Sequence, residues 1–485
     1  MRIPDRIYGI ENELGVVMQR ADNTWYQVPG YRTKHLLQSG INSVMPFLEV
    51  VRLWHSNGGC TYIDTGEHPE YASPECRSVK DAVLYSKAGE LLASEVFCKP
   101  NPKDGSRLVL IKNNLGCDDT GRADGHFGCH ENYTMYRLDL NDISRLKQFT
   151  PFLISRQIMD GAGWWQPDGN YLFSQRSKSI EEEIGRTTTN NRPLIALRDT
   201  INDTGHLRRL HIIPGDANIL DVACFLKLGT MSLVIALVEA GRVPQIKYSY
   251  PATTMKQIAS NPDITAPCEH FTYGGKKLSP FDMQVLYYEM IKHNLPGADF
   301  ASPQVEAETY MIMKLWKQAL DALYSHDQAW MLGRLDHATK KYLADRIIGK
   351  RHLSPSEIKS IRKDIDLMYH NITDRTMQQR MNTQWANRRL LTDKQIEKAC
   401  YFAPRNTRAR IRGLFISSIL DIAKKVKSQI NWTVCKDGDM SSYDGEFHMN
   451  DPFASSDLHF SQFLIKCLGR PRTTIYHHQP LGCDS

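Results

Sequence analysis

Residues 61–76 read TYIDTGEHPEYASPEC and gather Asp64, Glu67, His68, Glu70 and Glu75 into sixteen positions. Pro69 excludes a helix interior, so the run is extended or turning. Alternate residues of a strand share a face. Tyr62 and Asp64 therefore lie on one side with Ile63 turned to the core, and His68 and Glu70 repeat the step. Toward the N-terminus, GIENELG at 9–15 places Glu11 and Glu13 together with Asn12 opposite. Two carboxylates on one face repel unless something positive sits between them. A solvent-facing edge strand is the plain reading of one such segment; a second acidic segment favours a divalent cation. Oxygen ligands suit Mg²⁺ or Mn²⁺ better than zinc. Two such strands side by side would hold Mg²⁺ between Glu11, Glu70 and the Tyr62 oxygen. Asp64 is then a spare carboxylate, available as a general base.

Further along, KNN at 112–114 precedes GCHENY at 128–133, where His130 and Glu131 open a β-like run. A histidine there is a structural residue or one more ligand among acids and amides. Arginines follow: Arg176 in SQR, then Arg208 and Arg209 in HLRRLHIIPGDAN, which also holds His211 and Asp216. Phosphate needs several forked donors, which guanidinium supplies, though surface positions or pairing with the acids account for arginines equally well. Neither GxxxxGK[ST] nor a GxGxxG after a strand occurs, which excludes a P-loop or Rossmann nucleotide site. Carboxylates for Mg²⁺, arginines for phosphate and an antiparallel sheet suggest an enzyme that activates a carboxylate with ATP.

The whole chain fits this frame. At 485 residues, 41% hydrophobic and 24% charged, it is long enough for one large domain with an appendage. The net charge of +6 is mild and no basic run carries interleaved aromatics, so no nucleic-acid partner is expected. Eleven cysteines without a CxxC pair read as reduced thiols in a cytoplasmic protein. The longest apolar stretch, around Met231 to Val238, is far short of a membrane span, and no membrane is expected.

Residues 1 to about 280 mix short β-rich runs with helix-like stretches at Asp81 to Phe97 and Asp221 to Ala240, the pattern of an α+β domain on a mostly antiparallel sheet. From 280 to 398 the pattern is mainly helical. Ser354, Pro355 and Glu357 mark a helix start, and Ile358, Ile361, Ile365 and Met368 recur at helical spacing. We expect a catalytic domain over 1–404 and a small C-terminal domain over 405–485. Arg408 to Lys427 would form one amphipathic helix, and the tail beyond 470 would be loosely ordered.

GIENELG, YIDTGEHPEYASPEC, IKNN, FGCHENY, PFLISRQ, FSQRS, RRLHIIPGDAN and LKLGT, in that order, resemble the Pup ligase and Pup deamidase/depupylase family, a relative of glutamine synthetase and the γ-glutamylcysteine ligases. The likeness is strong over 7–240 and continues through TRARIRGLFIS, the Trp432 stretch and DPF at 451–453. It implies a curved antiparallel sheet forming a cradle covered by helices, plus a small C-terminal domain. It also implies Mg²⁺ ligands at Glu11, Tyr62 and Glu70, a base at Asp64, and ATP contacts at Ser73 and Trp432. Where the family pattern has an arginine this chain has Cys60, and Arg176, Arg208 or Arg209 would have to compensate. The implied partners are Pup, a small disordered protein modifier, and lysine-bearing proteins joined to it as a mark for proteasomal degradation. A short stretch between Glu13 and Tyr62, the length of DTGEHPEY, and Cys129 resemble the ligase branch; SPEC resembles the deamidase branch. A depupylase, a small-molecule glutamate ligase and a silent Pup-binding module are the alternatives.

Overall fold

The computed structural model describes residues 1–21, 24–27, 35, 38–39, 52–64, 66–98, 105–117, 123–136, 142–197, 207–349, 352–420, 428–430, 432, 434–437 and 446–468. Its centre is an eight-stranded sheet. The strands in chain order are β1 (Tyr8–Glu13), β2 (Arg52–Trp54), β3 (Cys60–Ile63), β4 (Pro69–Ala72), β5 (Cys129–Tyr136), β6 (Glu182–Gly185), β7 (Pro193–Ala196) and β8 (Leu207–Ile212). Their spatial order is β6-β7-β8-β5-β1-β4-β3-β2. Every pairing is antiparallel except β6 with β7. The α+β class expected from the sequence is what forms.

Alternation divides the sheet into two faces. Tyr8, Ile10, Tyr71, Cys129, Tyr133, Met135, Leu210 and Ile212 point into one large apolar core. Helix α1 (Val79–Phe97), capped by Ser78, lies on that face. Gly89 permits the approach: a Cβ there would stand 2.1 Å from a Tyr71 ring carbon. Helix α2 (Asp221–Glu239) is buried from Asp221 through Val238. The apolar run is longer than the sequence reading allowed. Among the described residues α2 is the one helix long and apolar enough to cross a membrane, with mean hydropathy 1.9, yet that stretch is wholly buried inside the fold.

Helices Pro280–Asn294, Pro303–Tyr324, Asp336–Ile348 and Pro355–His370 account for most of the helical region. The Ser354–Glu357 capping box forms as its residues dictate. The buried stripe of that helix differs from the expected one. Met368 is exposed, while Ile365, Asp366, Tyr369 and His370 are buried. Its inward face is partly polar: Lys340 pairs with Asp366 and contacts His370 Nε2 at 3.1 Å.

Helix α3 (Ala409–Leu420), a three-stranded sheet and helix α4 (Leu458–Leu468) close the described chain. They share a separate apolar cluster of Ile411, Phe415, Cys435, Phe447, Met449, Phe460 and Phe463. Residues 421–427 of the expected long helix and the tail beyond 470 lie outside the described residues.

Candidate active site

The sheet face turned away from α1 carries the chemistry in two rows. In the first, Arg52 of β2 is opposite Tyr62 of β3, Tyr62 opposite Glu70 of β4, and Glu70 opposite Glu13 of β1. In the second, Trp54, Cys60, Ala72, Glu11 and His130 follow one another across β2, β3, β4, β1 and β5. Pairing turns residues far apart in the chain into neighbours about 5 Å apart. Above them opens a cleft of about 380 Å³, lined by Glu11, Arg52, Tyr62, Asp64, Glu70, Ser73, His130, Arg209, His211 and Trp432, among others.

Carboxylates dominate the cleft floor. Glu13, Asp64 and Glu70 bring oxygens within 4.8 Å of one another, and Glu11, His130 and His211 form a second such group. Burial, and then the charges of Glu11, Glu13 and Asp64, push the Glu70 carboxyl well above the usual range; its hydrogen bond with Tyr62 opposes this. Burial, and then Glu70 and Glu11, also raise the Tyr62 phenol. Glu11 goes the other way. Burial alone would raise it, but Arg209, His130 and His211 together outweigh that and hold it well below the ordinary value. Arg209 Nη2 donates to Glu11 at 3.1 Å, and both imidazoles lie 3.6 Å from its other oxygen. Glu13 is lowered against its burial by His68, His130 and the Gly128 N–H, with His68 Nδ1 at 3.2 Å. Three carboxylates this close, one of them displaced upward, fit an oxygen-seeking divalent cation. The second group, with its two imidazoles, is a mixed oxygen–nitrogen donor set.

Asp64 stands where β3 ends and its hairpin begins. Its N–H bonds the His68 carbonyl at 2.9 Å, and its carbonyl accepts from Glu67 N at 3.0 Å. Gly66 at φ 94° and Glu67 at φ 64° make the turn. Glu67 is thus a turn residue in the left-handed region. Ser73 lines the cleft, its Oγ accepting from Ile10 N at 2.9 Å and donating to the Pro74 carbonyl at 3.2 Å.

Trp432 reaches the cleft from the C-terminal segment. Its ring meets Trp54 edge to face at 4.6 Å, and the Arg412 guanidinium lies 4.8 Å from it and 5.1 Å from Trp54. Arg412 also donates to the Trp432 carbonyl at 3.0 Å and pairs with Glu75. Arg408 Nε donates to Glu75 at 2.7 Å. Cation pairing by Arg412 and Arg408 outweighs burial and brings Glu75 down to about 2.

The structure separates the remaining sequence-predicted residues. Cys60 is buried beside Trp54 and Ile416, and burial pushes its thiol up, so it stays neutral. Arg176 is buried and donates to the Ile213 and Phe127 carbonyls at 3.3 and 3.4 Å. Arg208 alternates with Arg209 on β8 and so takes the opposite sheet face. Other motif residues are scaffold. Asp216 accepts from the N–H groups of Ala162, Gln175 and Arg176. Lys112 binds Glu90 at 2.8 Å, and Glu131 is buried against Arg156. His211 and Arg52 were not assigned to the site from sequence. The alternation of RRLHI does put His211 beside Arg209; Arg52 carries no such mark.

The sheet of this α+β protein thus gathers carboxylates, imidazoles and guanidinia under one cleft. The family model for Pup-ligase proteins matches residues 6–436, and the chain belongs to that family. It is 32% identical over 478 residues to the Pup–protein ligase of Acidimicrobium ferrooxidans, covering 96% of this chain and 99% of that one. It is 30% identical to the Pup–protein ligase of Jonesia denitrificans, over 95% and 98%. Among solved structures it resembles the ligase PafA in complex with Pup, at TM-score 0.83 and 26% identity over 96% of this chain and 93% of that one. It also resembles PafA in complex with ADP, at TM-score 0.74 and 25% identity over 93% and 96%.

Proposed function

We propose that this chain is an ATP-dependent Pup–protein ligase, which joins the side-chain carboxylate of a C-terminal Glu of Pup to a lysine of a target protein. The observation that carries the reading is the row Arg52–Tyr62–Glu70–Glu13 with Asp64 at its edge: a cationic rim, a crowded acidic floor and a spare carboxylate in one cleft. Membership of the Pup-ligase family and likeness to an ADP-bound member support it.

Glu11, Tyr62 and Glu70 would hold Mg²⁺, with Glu13 and His130 beside them. When bound, Mg²⁺ offsets negative charge on the polyphosphate and on the carboxylate it meets. Ser73 and Trp432 would flank the nucleotide, Trp432 held by Arg412. The γ-phosphate passes to the Glu carboxylate, giving an acyl phosphate and ADP. The lysine amine then attacks the acyl carbon, phosphate leaves, and an isopeptide bond forms. That amine is protonated at neutral pH, since its ordinary pKa is about 10.4. Asp64 takes the proton and orients the nitrogen lone pair.

In this reading residues 1–404 are catalytic and 405–485 a small C-terminal domain, supported by the latter's separate apolar cluster. A cytoplasmic setting is supported by free thiols at Cys60, Cys76, Cys98, Cys129, Cys224, Cys268, Cys400 and Cys435. The test is hydroxylamine trapping. With ATP, Mg²⁺ and Pup ending in Glu, the acyl phosphate is captured as a hydroxamate on that residue. ATP consumption without hydroxamate would exclude carboxylate activation.

A further inference from the structure

The arginines that line the cleft differ in what already occupies them. Arg209 donates to Glu11 at 3.1 Å and to Asn132 at 2.5 Å. Arg408 is drawn to Glu75 and to the Met449 carbonyl. Each guanidinium is thus committed to groups of the protein. Arg52, the third, forms no ion pair with a carboxylate among the described residues. Its guanidinium carbon stands 5.0 Å from the centroid of the Tyr62 ring, its cross-strand partner.

Of the three cleft arginines, Arg52 is the one that no carboxylate among the described residues takes up. The cleft floor is acidic at Glu11, Glu13, Asp64 and Glu70, so a polyphosphate lying over it meets repulsion from below. On the next row the position equivalent to Tyr62 is Cys60, a buried neutral side chain between Trp54 and Ala72. A thiol there offers no charge and no forked donor. Arg52 is exposed at the rim, on the edge strand, with its guanidinium against the Tyr62 ring, a contact that favours the cation. Planar forked donors match phosphate oxygens better than a point charge does.

We propose that Arg52 is a nucleotide-binding residue whose guanidinium grips the polyphosphate of ATP, an inference that rests on reading the cleft as an ATP site. Calorimetric titration of the full chain with Mg-ATP and with AMP, for wild type, Arg52→Gln, Arg52→Ala and Arg52→Lys, tests it. Wild type should bind Mg-ATP saturably. Arg52→Ala and Arg52→Gln should each weaken Mg-ATP by about tenfold or more, with a smaller loss for AMP, and Arg52→Lys should fall between. Because Arg52 is exposed, thermal unfolding of the nucleotide-free variants should match wild type. Wild-type affinity in Arg52→Ala, or equal losses for ATP and AMP, would overturn the role of Arg52 while leaving the cleft reading intact. Absence of saturable Mg-ATP binding by wild type would overturn the cleft reading, and the inference with it.

Discussion

Glu13 and Glu70 are direct cross-strand partners on the cleft face, two carboxylates set against one another in neighbouring strands of the same sheet. Like charges in directly opposed positions destabilise a sheet, and Asp64 adds a third. If the trio is the proposed cation site, the repulsion between its carboxylates costs the cation-free protein stability that a bound cation would restore.

Glu70→Gln should therefore stabilise the cation-free protein by about 1 kcal/mol, while removing most of the increase in melting temperature that millimolar Mg²⁺ gives the wild type. Urea unfolding in chelator and melting curves with and without Mg²⁺ measure both effects. A variant less stable in chelator and still stabilised by Mg²⁺ would contradict the cation reading.

Asp64→Asn should lower the rate of conjugate formation by a factor of about 10² or more. Asparagine keeps the shape but takes no proton. Conjugation that recovered to the wild-type rate at higher pH, where lysine amines deprotonate unaided, would agree with the assigned role. Full activity at neutral pH would remove Asp64 from it.

Glu75 joins the catalytic sheet to the C-terminal segment through Arg408 and Arg412. Glu75→Gln leaves two buried guanidinia without their anion and should cost about 3–5 kcal/mol at neutral pH. A carboxyl lowered to about 2 in the fold contributes stability that is present above the ordinary carboxylate value. That contribution is lost as pH falls toward 2, so the difference between wild type and variant should shrink between about pH 4.5 and 2. Chemical unfolding across that range checks it.

Gly89→Ala places a methyl group against the Tyr71 ring, 2.1 Å from its nearest carbon. Overpacking of this kind costs about 1–3 kcal/mol, although alanine is the better helix former by about 1 kcal/mol. Net destabilisation is expected. A stabilised Gly89→Ala would mean that α1 does not lie on Tyr71 as described.

Much of the site could be read from alternation alone. Glu11 with Glu13, and Tyr62 with Asp64, share a face because a strand repeats every two residues, and that rule needs no knowledge of neighbours. Strand order was not accessible in the same way. Nothing in the chain announces that Arg52 lies opposite Tyr62, or that Glu75 meets Arg408 and Arg412 from more than 330 positions away. Hydrophobic periodicity also failed at Met368, because Asp366 and His370 are buried there through a polar contact with Lys340 that no apolar count can detect. Glu131 sits next to His130 yet turns to the opposite face, where Arg156 takes it out of the site.

The most direct measurement is the product itself. The purified chain is incubated with ATP, Mg²⁺, Pup ending in Glu and a lysine-bearing target, and the target is weighed intact and as peptides by mass spectrometry. The expected result is a gain equal to Pup less one water, placed on a lysine side chain and dependent on ATP and Asp64. Absence of any adduct, with release of Pup from a preformed conjugate instead, would contradict the assignment of ligase activity.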